Sequence, residues 1–170
     1  GTIAYFVEHL GKVRRLHMNT REVRTIAGGS GLGYVDDIGS NAKFNYLWDL
    51  AVSNDNTLLY VPDTENRRIR LLSLDDNKVS TFCGSGVQGY ADGPCSSAQF
   101  FAPYYIALSP DGSFAFVTDD NAIRKIIFSS KLVSMLVGAA EGFQNGPLSS
   151  AKFSKLRGIL IGTDGSYAAV

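Results

Sequence analysis

Apolar positions in this chain come in short alternating runs rather than at the three-and-four spacing of a helix. Leu50-Ala51-Val52-Ser53, Ile106-Ala107-Leu108-Ser109 and Ile159-Leu160-Ile161-Gly162 interleave apolar and small residues, as a half-buried strand does. Each runs into a turn: N-D-N from Asn54, P-D-G from Pro110, T-D-G from Thr163. There Asp and Asn bond their own backbone and Gly supplies positive φ. A second strand follows at 58–61, 114–117 and 167–170. A third is carried by Arg68-Ile69-Arg70-Leu71-Leu72 and Ala122-Ile123-Arg124-Lys125-Ile126, with an early counterpart in Lys12-Val13-Arg14-Arg15-Leu16. Polar turns lead on to a fourth strand at 23–27, 79–82 and 133–137.

The loops between these units are written in nearly the same letters. T-I-A-G-G-S-G-L-G-Y-V-D-D-I-G-S-N-A-K-F from Thr25 is answered by T-F-C-G-S-G-V-Q-G-Y-A-D-G-P-C-S-S-A-Q-F from Thr81, and by M-L-V-G-A-A-E-G-F-Q-N-G-P-L-S-S-A-K-F from Met135. Gly28, Gly84 and Gly138 open the loop, Tyr34, Tyr90 and Phe143 sit within it, and Phe44, Phe100 and Phe153 close it. The first offset is 56 residues and the second 53 or 54. A repeat of this length with four short antiparallel strands is the signature of a propeller blade; a β-helix has far shorter repeats, and helical solenoids have a 3.6 period. The expected fold class is all-β: a single β-propeller segment over 1–170, of about three four-stranded blades. The repeats fall near 1–49, 50–105 and 106–158, with a partial blade at 159–170. The chain enters and leaves on a second strand, at 4–7 and 167–170, so three repeats leave an open arc. Two completions follow: further repeats in a longer parent chain, or a homodimer closing a six-bladed ring head to tail.

Composition narrows the partners. Lys plus Arg and Asp plus Glu both total 16, and zero net charge makes nucleic-acid or anionic-membrane binding unlike this chain. The longest uncharged run, 93–110, is broken by three prolines and cannot span a bilayer. The chain opens on Gly1 without a basic, apolar leader, which suits a processed or trimmed segment. Cys83 aligns with Ala27 and Val137, and Cys95 with Gly39 and Leu148; a disulfide between them is left open.

With the strands placed, Tyr60-Val61-Pro62-Asp63-Thr64-Glu65-Asn66-Arg67-Arg68-Ile69-Arg70 is similar to the apolar-V-A-D-x-x-N-x-R-I-R pattern of the NHL-repeat β-propellers. Tyr105-Ile106-Ala107-Leu108-Ser109-Pro110-Asp111-Gly112 resembles the family's preceding G-I-A-V-x-x-D-G element. The chain resembles the family along its whole length, and the G-x-G-Y-A-D-G loop looks like that of a long-repeat subgroup. It departs at Pro62 and Thr118, where the family prefers Ala, at Arg67, where His is frequent, and at His9, set against Asp63 and Asp119.

Candidate sites follow. Arg14, Arg70 and Arg124 recur at one strand position, with Asp63 and Asp119 on the preceding turn; recurrence in every blade marks a structural pair rather than an anion-binding ring. Tyr34, Tyr90 and Phe143 are the candidate partner-binding loop, as aromatic anchors for a protein or peptide. His9 and His17 are the only histidines and are too few for the metal-dependent lyase or lactonase propellers, so no metal, cofactor or catalytic residue is assigned here. Asp36, Asp37 and Asp92 read as turn residues serving the backbone. The expected function is a non-enzymatic binding or scaffold module. The alternatives implied by the resemblance are a piece of a propeller enzyme whose active residues lie outside this segment, and an RNA-binding NHL propeller. The sequence leaves the compartment open.

Overall fold

The computed structural model describes residues 2–170; Gly1, the first residue of the first expected repeat, lies outside them. Fourteen strands run β1 (Ile3–Glu8), β2 (Lys12–His17), β3 (Glu22–Ala27), β4 (Ala51–Val52), β5 (Leu58–Asp63), β6 (Arg68–Ser73), β7 (Val79–Cys83), β8 (Gly93–Pro94), β9 (Pro103–Leu108), β10 (Phe114–Asp119), β11 (Ala122–Ile127), β12 (Leu132–Val137), β13 (Leu160–Ile161) and β14 (Ala168–Ala169). They form four antiparallel sheets: β1-β2-β3, β4-β5-β6-β7, β9-β10-β11-β12 with β8 added beyond β12, and β13-β14. Among the described residues the helical segments are two three-residue 3-10 turns, and no helix is long and apolar enough to cross a membrane.

Strand counts therefore depart from a uniform four. The first sheet has three strands, and the third gains a fifth because the loop ahead of it pairs Gly93 and Pro94 with Val133 and Leu132. In β9 the chain becomes extended at Pro103, ahead of the alternating run at 106–109, because a bulge between Thr118 and Asp119 lets Asp119 pair back to Pro103.

Each of the two inner sheets buries both faces, and period two decides which residue goes where. From β5, Leu59 and Val61 join Val13, Ile26, Ala27, Ala42, Phe44 and Leu47 in the cluster between the first and second sheets. The intervening Tyr60 points the other way, into a cluster with Ile69, Phe100, Ile106, Val117 and Ile126 between the second and third. A smaller cluster of Ile123, Val137, Leu156 and Ile159 covers the far face of the third sheet. This double burial explains why a second strand such as Leu58-Leu59-Tyr60-Val61 in β5 is apolar without interruption, in contrast to the alternating first strands. Phe44 and Phe100 are fully buried at the two inner seams, whereas Phe153 is only half-buried at the third.

Every long loop leaves its sheet through glycine for a steric reason. Gly28, Gly84 and Gly138 have φ of +93°, +105° and +105°, and a Cβ there would lie 2.1, 2.6 and 2.2 Å from the carbonyl oxygens of Gly11, Arg67 and Asn121. Only a residue without a side chain lets the loop cross the turn between the second and third strands. Cys83, the last residue of β7, is disulfide-bonded to Cys95 in the loop beyond, which settles the pairing the sequence left open.

Candidate functional site

The recurrent Arg–Asp positions form buried ionic clamps that hold each loop to the sheet after it. Arg70 is fully buried: Nη1 donates to Asp63 Oδ2 at 2.7 Å and to the Lys43 carbonyl at 3.1 Å, Nη2 to the Val35 carbonyl at 3.0 Å, and Nε to Asp36. Arg124 repeats the arrangement with Asp119 at 3.2 Å, the Gln99 carbonyl at 2.8 Å, the Ala91 carbonyl at 3.3 Å and Asp92 at 2.7 Å. Asp63 and Asp119 also accept the backbone N–H of Asn45 and Ala102, each at 2.7 Å, and so fix the chain just past the closing Phe. The first sheet differs. Glu8, not His9, occupies the Asp63 position, since Glu8 pairs with Lys12 as Asp63 pairs with Arg68. Arg14 reaches Glu8 at 2.7 Å while remaining partly exposed.

Asp36 and Asp92 are also more than turn residues, because each binds the guanidinium of the next sheet; Asp37 keeps the local role, its Oδ1 accepting the Ile38 N–H at 2.7 Å.

Burial pushes the carboxyl of Asp119 up to about 6 against the opposing pull of the Ala102 N–H and Arg124, and it raises Asp63 in the same way. A carboxyl whose folded pKa is raised stabilises the fold below its unfolded pKa, and that contribution is lost as pH rises through the folded value. Asp119 should therefore cost the fold roughly 2–3 kcal/mol between about pH 4 and pH 7. The turn residue Asp111 is held down to about 2 by Ser109 and Ser113 and titrates below this window. In denaturant titrations, Asp119→Asn should flatten the fall in stability from pH 4.5 to 6.5 (about the interval between the two pKa values). An unchanged slope would show that Asp119 stays ionised throughout.

The partner-loop candidates have three different surroundings. Tyr34 donates to or accepts from Thr81 Oγ1 at 2.8 Å and lies beneath the guanidinium groups of Arg68 at 4.1 Å and Arg70 at 4.8 Å. Tyr90 stacks on Phe101 with centroids 5.3 Å apart, and burial with Asp120 and Asp119 nearby pushes its phenol up to about 12. Phe143 is 92% exposed.

The structure brings together a different set that the repeat pattern does not single out. Trp48, Tyr104 and Arg157 each stand four residues after a closing Phe, and so occupy one repeat position. The Trp48 and Tyr104 rings meet edge to face at 5.9 Å, and the Arg157 guanidinium lies 5.0 Å from the first ring centroid and 5.1 Å from the second. His9 extends the group, 4.4 Å from Trp48 and 4.6 Å from Tyr46. Equivalent positions on successive blades approach this closely only near the centre about which the blades turn. Tyr46 and Lys155, two residues past their closing Phe, share a left-handed backbone (φ +59° and +51°). Trp48 and Arg157 are exposed and Tyr104 is half-buried; its phenol is raised by burial and then by Asp120, with Arg157 pulling the other way. The missed signal was position rather than identity, because the three repeats place three different residue types there.

Repeated four-strand sheets sharing apolar seams, with equivalent residues converging at one edge, define a β-propeller segment. No family model matches the chain. It is 40% identical over 68 residues to human NHL repeat-containing protein 2, a match covering 40% of this chain and 9% of that protein. It is 28% identical over 117 residues to the Arabidopsis thaliana chloroplastic protein SUPPRESSOR OF QUENCHING 1, covering 64% of this chain and 11% of the relative. Among solved structures, an auxiliary nutrient binding protein from Bacteroides thetaiotaomicron superposes with a TM-score of 0.74 at 18% identity, over 96% of this chain and 41% of that one. Virginiamycin B lyase from Staphylococcus aureus superposes with a TM-score of 0.56 at 16% identity, over 96% and 43%. These similarities support an NHL-repeat propeller, and the chain spans about a tenth of the length of the curated relatives it matches.

Proposed function

We propose that this segment is a non-enzymatic binding module whose contact surface is the axial strip of Trp48, Tyr104 and Arg157, flanked by His9 and Tyr46. The observation that carries this is the convergence of one repeat position from three successive loops onto a single aromatic and cationic surface. Trp, Tyr and Arg are the residues most enriched at energetic centres of protein interfaces. The rings supply rigid contact area, and the cation held on them favours a partner segment carrying a carboxylate beside an apolar or aromatic group. The seams and ionic clamps keep the strip preformed, which lowers the ordering cost of binding.

Trp48 is the sole tryptophan, so its fluorescence reports this surface alone. Peptides selected from a random display library against the chain should shift Trp48 emission on binding and lose about tenfold or more in affinity with Arg157→Ala, with the melting temperature unchanged. Selected peptides that bind equally well to Arg157→Ala and leave Trp48 emission alone would move the site elsewhere.

A further inference from the structure

Between the second and third sheets, well inside the chain, lies a cleft of about 290 Å³. Its rim is formed by the two hairpin turns that carry Asp55 and Asp111. The Asn54 side-chain amide ties these turns together by donating to the Pro110 carbonyl at 2.7 Å. The walls are Leu58, Leu108, Tyr60 and Phe128, with the two rings stacked at a centroid distance of 5.0 Å. Tyr104 of the axial strip stands near the start of β9 and Leu108 ends it, so strip and cleft occupy opposite ends of the strands. Pockets for small molecules run to about 300–1,000 Å³, and a cleft at the bottom of that range holds a group of side-chain size.

The fold leaves the Tyr60 hydroxyl without a task. Tyr60 is 7% exposed, yet its hydroxyl makes no hydrogen bond among the described residues and is not sealed from solvent, so it opens onto the cleft. The equivalent residue of the next sheet is Phe116, which pairs with Ala107 as Tyr60 pairs with Ala51, so the sheet forms equally well without that oxygen. Asp55 lies near enough to add to the upward push that burial gives the phenol. Both rim carboxylates are ionised at neutral pH: Ser109 and Ser113 hold Asp111 at about 2, and Ser53 and Thr57 hold Asp55 below its ordinary value. Among the described residues neither forms a salt bridge. At Asp55 the donors from Ser53 and Thr57 all use Oδ1, which leaves Oδ2 for an incoming group.

We propose that this cleft binds an alkylammonium group, its head among Asp55, Asp111 and the Tyr60 oxygen and its stem against Leu58, Leu108 and Phe128. An ammonium offers three donors and no acceptor, which matches three oxygens free to accept. Its charge answers the two unpaired carboxylates, and its methylene stem suits the apolar and aromatic walls. A metal ion fits poorly. Ca²⁺ takes about 6–8 oxygen ligands, and among the described residues no group of three His, Cys, Asp or Glu is placed to hold an ion. The site is separate from the axial strip, which carries a cation and so draws the opposite charge. A lysine side chain of a partner polypeptide and a free alkyl amine both present this chemistry.

Titration of the chain with pentylammonium chloride, followed by methyl NMR, tests this. The Leu58 and Leu108 methyl signals should move and saturate, while the neutral analogue pentanol leaves them in place at the same concentrations. Tyr60→Phe should weaken binding about tenfold, the loss of one hydrogen bond to a charged donor, with the melting temperature unchanged because the hydroxyl supports nothing within the fold. Asp55→Asn, which keeps the Oδ1 acceptor its turn needs, should weaken binding about fivefold, the upper contribution of an exposed ion pair. Arg157→Ala should leave amine binding as it is. Two further probes separate the sources: tighter binding of Nα-acetyl-lysine methylamide marks a chain-borne lysine, and tighter binding of cadaverine a free diamine. Equal shifts from pentanol would overturn the proposal, as would amine binding that Tyr60→Phe leaves untouched or that Ca²⁺ displaces.

Discussion

Arg70→Ala should destabilise the fold by about 3–5 kcal/mol, the usual loss when one partner of a buried charge pair is removed. The guanidinium is fully buried and is shared among Asp63, Asp36 and the carbonyls of Val35 and Lys43. Its loss leaves Asp63 charged and buried, and frees the loop that carries Phe44 into the first seam. Domains of this size hold only about 5–15 kcal/mol in all, so the variant will sit close to unfolding. Arg70→Lys provides the graded control: it keeps the charge but loses the planar fork that reaches both carboxylates, so it should fold with a smaller loss. Arg14→Ala provides the contrast. Its pair with Glu8 is partly exposed, and such pairs contribute no more than about 1 kcal/mol. Chemical denaturation of the three variants should rank them in that order. Equal costs at Arg14 and Arg70 would mean the clamp contributes nothing beyond an ordinary surface pair.

The clamp also shows how far the sequence was readable. Arg14, Arg70 and Arg124 recur on the third strand with Asp63 and Asp119 close before them, seven residues ahead of Arg70 and five ahead of Arg124, so this local pairing could be read from the sequence. Asp36 and Asp92 could not be paired with Arg70 and Arg124 that way. They are 34 and 32 residues away in the chain, and within their own loops they look like ordinary turn formers. The strands were legible because both faces of each inner sheet are buried and the turns are made by short local motifs. Ser53 and Ser109, for example, each donate to the Asp two residues on. The axial strip was hidden for a different reason. A repeat search rewards identity, whereas Trp48, Tyr104 and Arg157 share only a position, and their convergence appears once the blades turn about a centre. Cys83 and Cys95 lie at non-equivalent repeat positions, so periodicity gave no reason to join them. The Gly84 N–H to Cys95 carbonyl hydrogen bond at 2.8 Å is what brings the two segments alongside, and the first loop makes the same contact between Gly28 and Gly39 at 3.1 Å without any cysteine.

Phe100→Ala should cost about 3–5 kcal/mol, because truncating a fully buried Phe loses its transfer free energy and leaves a cavity the surroundings only partly fill. Phe100 is 0% exposed and sits where three supports meet: the apolar cluster between the second and third sheets, the Arg124 guanidinium 5.5 Å from its ring, and the Gly84 backbone, where an added Cβ would lie 3.0 Å from the ring. Relaxation into the cavity is limited on each side. The disulfide pins the loop to β7, the Arg124 clamp pins it to β11, and the close crossing at Gly84 leaves its backbone no room to settle inward. The same truncation at Phe153 should cost clearly less, since that ring is only half-buried and its seam holds few residues. Thermal unfolding of the two variants separates the effects. A melting temperature for Phe100→Ala no lower than that of Phe153→Ala would mean the closing Phe does not seal the inner seam, and that the disulfide and ionic clamp alone hold the second and third sheets together.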